Sequence, residues 1–166
     1  MKQAIQVLND LKREGVIAEY AIGGAIAALF YTEPVLTQDL DVFVLSAAPT
    51  AGKLITLKPL YVALRSRGYR EQREYVVIDG CLVQFLPAAG DLLEEAIREA
   101  SDRQYERTPV RVLRPEHLIA IALQTCRPKD RARVALLVEQ AQMDNDYLHS
   151  VLKRYRLEGK FKEWAK

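Results

Sequence analysis

Residues 16–24 read Val16-Ile17-Ala18-Glu19-Tyr20-Ala21-Ile22-Gly23-Gly24, and residues 37–45 read Thr37-Gln38-Asp39-Leu40-Asp41-Val42-Phe43-Val44-Leu45. The first run is short and apolar and opens directly into a glycine pair, after which Ala25 to Tyr31 favour a helix that Pro34 stops. This is a strand, a glycine turn and a helix. In the second run, Leu40 to Leu45 form a strand that is nearly continuously apolar, with Asp39 and Asp41 at its entrance. Asp is depleted in strands because its side chain competes for backbone hydrogen bonds, so two of them at i and i+2 call for a reason. Residues two apart share a face of a strand. Two carboxylates held there repel one another unless a divalent cation sits between them. Taken alone, the acidic pair also reads as a solvated strand end, and the glycine pair as a tight turn. Together they bring bare backbone amides suited to phosphate and carboxylates suited to a hard metal within fifteen residues of each other.

Outward from this centre the elements follow from spacing. Ile5, Leu8 and Leu11 place a helix over Lys2 to Arg13, capped near Gly15. A further helix is expected from Leu54 to Arg67, closing at Gly68. Tyr75 to Ile78 and Cys81 to Leu86 flank Asp79-Gly80, a two-residue hairpin signal. Asp91 caps a short helix through Ala100, and Val110 to Leu113 reads as a last strand. Beyond it the chain turns helical, with helices opening at Pro115, running from Lys129 to Ala141, and running from Asp144 to Tyr155. The expected fold is α/β (α+β), with a mixed sheet of four or five strands backed by helices and a C-terminal helical subregion. Residues 1–166 form one expected domain, 1–113 carrying the sheet and 114–166 the helices.

At 166 residues, with 49% hydrophobic and 28% charged, the chain is long and apolar enough to bury a core without staples. Its apolar runs are too short to span a bilayer and its start does not read as a signal peptide, so a cytoplasmic location and no membrane partner are expected. Cys81 and Cys126 lack a second Cys or His at ligand spacing and read as reduced thiols. A net charge of +2 does not announce nucleic-acid binding. The basic stretch Lys153 to Lys166, with Tyr155, Phe161 and Trp164, reads either as an acceptor-stacking tail or as a helix end whose aromatics dock on the body. His117 and His149 read as packing or surface residues.

Ile22-Gly23-Gly24-Ala25 followed by Thr37-Gln38-Asp39-Leu40-Asp41-Val42 resembles the signature of the polymerase-beta-type nucleotidyltransferase superfamily. Arg114-Pro115-Glu116-His117-Leu118-Ile119-Ala120 and Arg127-Pro128-Lys129-Asp130-Arg131-Ala132-Arg133 resemble the helical part of its minimal, AbiEii-like bacterial branch, which includes toxin–antitoxin systems. The resemblance implies that Gly23, Gly24 and neighbouring amides hold a nucleoside triphosphate. Related sequences often carry a lysine near the position of Ala122, and Lys129 reads as its stand-in for a nucleotide contact; Thr37 reads either as a contact to phosphate or base or as an ordinary Thr ahead of a strand. Asp39 and Asp41 would be the catalytic carboxylates and the ligands of magnesium or manganese. The acceptor would be a hydroxyl on RNA or protein, and a cognate antitoxin or toxin protein the partner. Where the superfamily has a third carboxylate on a neighbouring strand, this chain has Gln84, an amide that carries no charge and accepts no proton. That departure supports the alternative of a catalytically degenerate member that binds nucleotide or a partner. At the start of the helix expected from Lys129, Lys129 reads either as a charge for phosphate or as part of a solvated helix start, in which Asp130 complements the helix dipole and Arg131 and Arg133 face water.

Overall fold

The computed structural model describes residues 1–33, 37, 39–47 and 56–164. The chain begins with α1 (Lys2–Arg13), β1 (Ile17–Ile22), α2 (Gly24–Ala28) and β2 (Asp39–Ser46). There follow α3 (Lys58–Ser66), β3 (Arg70–Gln72), β4 (Tyr75–Ile78) and β5 (Cys81–Pro87), then α4 (Asp91–Arg98), β6 (Ser101–Tyr105) and β7 (Thr108–Val112). The last third holds α5 (Pro115–Thr125), α6 (Pro128–Gln140), α7 (Asn145–Arg154) and α8 (Glu158–Trp164). Residues 54–55 of the helix expected from Leu54, and Pro34 as a helix stop, lie outside the described residues.

The strands form one mixed sheet in the order β3-β4-β5-β2-β1-β7-β6. β2 runs parallel to β5 and antiparallel to β1, which in turn runs parallel to β7. The sheet therefore has seven described strands, not four or five. The two additions, β3 and β6, are short polar edge strands. Their mostly exposed residues carry no apolar alternation to announce them.

Period-2 patterning divides the sheet into two faces. Leu40, Val42 and Val44 are buried on β2, as are Val83 and Phe85 on β5, whereas Asp39, Asp41, Phe43, Leu82, Gln84 and Leu86 between them are only partly covered. α1 and α3 cover the buried face. The hydroxyl of Tyr20 donates to Asn9 of α1 over 2.7 Å, and the ring of Tyr61 on α3 meets Phe85 edge-on with centroids 6.3 Å apart. Each fully buried Leu or Ile in this layer contributes roughly 1.5–3 kcal/mol of apolar transfer.

α5 is buried along nearly its whole length, from Pro115 to Leu123, and packs against α2, α4, α6 and α7. Glu116 is satisfied by neighbours, while His117 is held through Nε2 and its Nδ1 has no hydrogen-bond partner among the described residues. Glu116 accepts from the Arg114 guanidinium at 3.2 and 3.3 Å and from the backbone N–H of Asp144 at 2.9 Å. His117, fully buried, meets Glu95 of α4 through Nε2 at 3.2 Å, and the same carboxylate accepts from the Tyr155 hydroxyl at 2.7 Å. Burial lowers the His117 pKa against the opposing pull of Glu95. Tyr155, Phe161 and Trp164 pack against the core, so within the described residues the basic C-terminal stretch docks its aromatics on the body. No described helix is long and apolar enough to cross a membrane.

Candidate active site

The glycine turn and the acidic strand are in direct contact. The backbone N–H of Gly23 donates to the carbonyl of Asp41 over 2.9 Å, which pins the turn to β2 at its acidic end. Gly24 opens α2 in the left-handed region, at φ +60°, where L side chains are strained. A Cβ there would lie 1.8 Å from Oδ2 of Asp41. At Gly23 a Cβ would lie 2.3 Å from the Phe43 ring. Both glycines are thus required by close approach, one to a carboxylate and the other to an aromatic ring. α2 has only five residues, too few to build a substantial macrodipole, so the turn presents backbone amides more than a helix field.

Asp39 and Asp41 lie on the same, partly open face of β2. Among the described residues neither carboxylate has a hydrogen-bond or ion-pair partner. Burial, and then the charge of Asp39, push the Asp41 carboxyl above its usual range, while Arg127, Lys129 and Arg133 pull it down. Three cations at the start of α6 therefore act on Asp41 from beyond ion-pair contact. Arg127 and Arg133 also line a small cavity of about 30 Å³ with Gly24, Asp41, Phe43 and Ala122. Lys129, expected as a nucleotide contact, is exposed beside them. Thr37 is half-buried just ahead of β2, and no hydrogen bond among the described residues ties its hydroxyl to the turn.

At the start of α6 Asp130 sits in the first turn, as expected, and its carboxylate accepts from the backbone N–H of Arg127 at 3.1 Å; it is also fully buried. Its carboxylate accepts from Arg133 at 3.1 Å, from the Arg127 side chain at 3.0 Å, and from the Thr125 hydroxyl at 2.7 Å. Arg131 is exposed as expected, but the Arg133 side chain is only 14% exposed. Burial opposes ionisation of Asp130, yet these hydrogen bonds prevail and hold its pKa below the usual value. Arg127 and Arg133 are the site residues that sequence reasoning passed over. Their signal was the Arg-Pro-Lys-Asp-Arg-Ala-Arg run itself, read there for helix capping.

Gln84 stands directly opposite Asp41 in the parallel pairing of β2 with β5, and Leu82 stands opposite Asp39. Side chains paired in this way share a face, so the Gln84 amide belongs to the same surface as the two carboxylates. Two unpaired carboxylates backed by an amide oxygen are oxygen donors of the kind a hard divalent cation takes, so the residues present fit magnesium or manganese. Among the described residues no three of His, Cys, Asp and Glu come together as a ligand set.

No family model matches the chain, and no curated protein does. Solved structures do. The crystal structure of ANT(2″)-Ia in complex with adenylyl-2″-tobramycin aligns at a TM-score of 0.55 and 17% identity, over 93% of this chain and 96% of that one. The chain has the nucleotidyltransferase fold. The solution structure of the antibiotic-resistance factor ANT(2″)-Ia aligns at 0.54 and 17% identity, over 98% and 94%. An antigenic nucleotidyltransferase-like protein from Paracoccidioides brasiliensis aligns at 0.58 and 13% identity, over 99% and 91%. Within this nucleotidyltransferase fold, the chemistry of the chain rests on the geometry of its own residues.

Proposed function

We propose that this chain transfers a nucleotide from a nucleoside triphosphate to an acceptor hydroxyl, with magnesium or manganese. The observation that carries the reading is the absence of room at Gly24: a phosphate-binding turn is pressed against Asp41, so amides and metal-ligand carboxylates open onto one spot. Asp39 and Asp41, with the Gln84 amide oxygen, would hold the metal, which on binding supplies charge neutralisation at the phosphates and acidifies a coordinated hydroxyl. The amides of the turn and the cations Arg127, Lys129 and Arg133 receive the triphosphate from the opposite side, with Thr37 as a further contact. Phosphoryl chemistry of this kind needs positioning and charge more than covalent participation, and the site supplies both. RNA or protein hydroxyls as acceptors, and a toxin–antitoxin partner of the AbiEii-like kind, are the finer reading that the sequence resemblance supports.

The deciding experiment incubates the protein with each α-labelled triphosphate and magnesium or manganese, against RNA, protein and small-molecule acceptors. Transfer of label that disappears in Asp39→Ala/Asp41→Ala is expected. Equal nucleotide affinity of the native and doubly substituted proteins by calorimetry would refute the site. A second reading, nucleotide binding without transfer, is favoured by Gln84, which puts an uncharged amide in the row of Asp41. Magnesium-dependent binding with no transfer to any acceptor is the outcome that selects it.

A further inference from the structure

Away from the acidic strand, a second cleft of about 510 Å³ opens between the end of α4, the edge strand β6 and the starts of α5 and α7, within the usual size of small-molecule sites. Gly24 and Ala122 border the candidate active site, whereas Tyr31, Pro115 and Glu116 border this cleft. The rise of α5 sets Pro115 roughly 10 Å from Ala122, so the two are separate. Within the cleft Arg114 and Glu116 neutralise one another at 3.2 Å. Three further charges there have no ion pair among the described residues: Arg103 on β6, Glu99 at the end of α4, and Asp144, which caps α7 through one carboxylate oxygen at 3.0 Å and keeps the other free. Arg103 lies over the Tyr31 ring, 5.3 Å from its centroid, which leaves the in-plane N–H groups of the guanidinium unused. The Tyr31 hydroxyl is screened from solvent and has no hydrogen-bond partner among the described residues, the mark of an incomplete site. Both carboxylates border the first turn of α7, where burial, then Glu95 and Glu99, push the Tyr147 hydroxyl pKa up, whereas Arg103 stands over Tyr31 beyond α2.

We propose that this cleft binds a free amino acid with an apolar side chain. Its unpaired charges define the class. Arg103 offers a fork of N–H donors to a carboxylate, and Glu99 and Asp144 accept from an ammonium group. A simple anion, a nucleotide included, would meet the two carboxylates uncompensated, and a simple cation would meet Arg103, so each is opposed by one part of the cleft. A zwitterion satisfies both. Ala100, Pro115 and Met143 supply the apolar wall for its side chain. The site shares no residue with the acidic strand or the glycine turn, so it stands whether or not Asp39 and Asp41 hold a metal.

The test is a nuclear magnetic resonance titration of the ¹⁵N-labelled full chain with leucine, methionine and phenylalanine, and with the N-acetyl and amide derivatives of each. Acetylation removes the ammonium charge and amidation the carboxylate. Expected are saturating shifts of the Ala100, Ser101, Arg103 and Met143 backbone amides with at least one free amino acid, at a Kd of about 1 mM or tighter, and binding weaker by about tenfold or more for both of its derivatives. Arg103→Gln and Glu99→Gln change exposed side chains that have no hydrogen-bond or ion-pair partner in the fold, and each should weaken the free amino acid about tenfold. Asp39→Ala/Asp41→Ala should bind it as the native protein does. Absence of binding by all three amino acids, a derivative that binds as tightly as its parent, full affinity in either single variant, or loss of binding in Asp39→Ala/Asp41→Ala overturns the proposal.

Discussion

Gly24→Ala isolates the contact on which the site depends, because Gly15 supplies a matched control. Both residues sit at positive φ, +60° for Gly24 and +71° for Gly15, so alanine costs about 1–2 kcal/mol of backbone strain at either position. Their surroundings differ. A Cβ at Gly15 meets nothing within 4 Å, whereas a Cβ at Gly24 falls 1.8 Å from Asp41 Oδ2. Gly15→Ala should therefore lower stability by only that backbone cost, a fall in Tm of about 2–8 °C for a chain of this size. At Gly24 the methyl group can be accommodated only if the Asp41 side chain swings out or the turn shifts off β2. Swinging out limits the further loss of stability to about 1–2 kcal/mol, within the usual cost of forced overpacking. It also takes the carboxylate away from the metal position, so magnesium-dependent nucleotide binding should fall at least a hundredfold. Urea unfolding and calorimetry on the two variants give both quantities. If Gly24→Ala matches Gly15→Ala in stability and binds nucleotide like the native protein, the turn does not deliver phosphate to Asp41 and the proposed site is wrong.

Gln84→Glu adds a carboxylate to the row of Asp41 and should tighten magnesium binding about tenfold in calorimetry. Should the variant bind magnesium no better, Gln84 does not address the metal position. Asp41→Asn removes a group whose folded pKa is raised by burial and by Asp39, so in metal-free protein its ionised form opposes folding. The sign is that of a group whose stabilisation is complete below its ordinary pKa of 3.8 and is lost as pH rises through the higher folded value. Metal-free Asp41→Asn should therefore melt above the native protein at pH 7, with the difference closing below about pH 4. A lower Tm at pH 7 would contradict this. Asp130 has the opposite sign: hydrogen bonds hold its folded pKa below 3.8, so its contribution is present above that pH and fades as acid brings the medium down through the folded value. Asp130→Ala leaves Arg127 and Arg133 without their buried partner and should cost about 3–5 kcal/mol at pH 7 by urea unfolding. A loss under 1 kcal/mol would show that the buried carboxylate does not hold the start of α6.

The parts of the fold that could be read in advance are those where a single local rule suffices. Asp79-Gly80 forms a two-residue hairpin with φ of +48° and +74°, the conformation its residues favour. The hairpin joining β6 to β7 turns through Glu106-Arg107, both at positive φ, and β3 meets β4 through Arg73-Glu74, with Arg73 at +58°. Glu and Arg carry no preference for that region, so these turns are imposed by the strands they join. That is why β3 and β6 escaped notice.

The site divides in the same way. Gly23, Gly24, Asp39 and Asp41 were legible because a Gly pair after a strand and acids two apart in an apolar strand each break a local preference. Arg133 was not legible as a site residue, because its burial follows from the packing of α6 on α5 over Asp130 and no spacing within α6 records it. Gln84 stands between these cases. Its identity was plain in the sequence, but its meaning depended on register: one residue of slip between β2 and β5 would have turned its amide into the core and left Asp41 facing Val83 or Phe85. Those two are instead buried on the opposite face, at 0% and 4% exposure. Slip would cost their apolar burial, several kcal/mol, and strand a polar amide in the core as well. The hydrophobic core thus holds Gln84 in the row of Asp41, and makes the missing charge a property of the site rather than of a mobile neighbour.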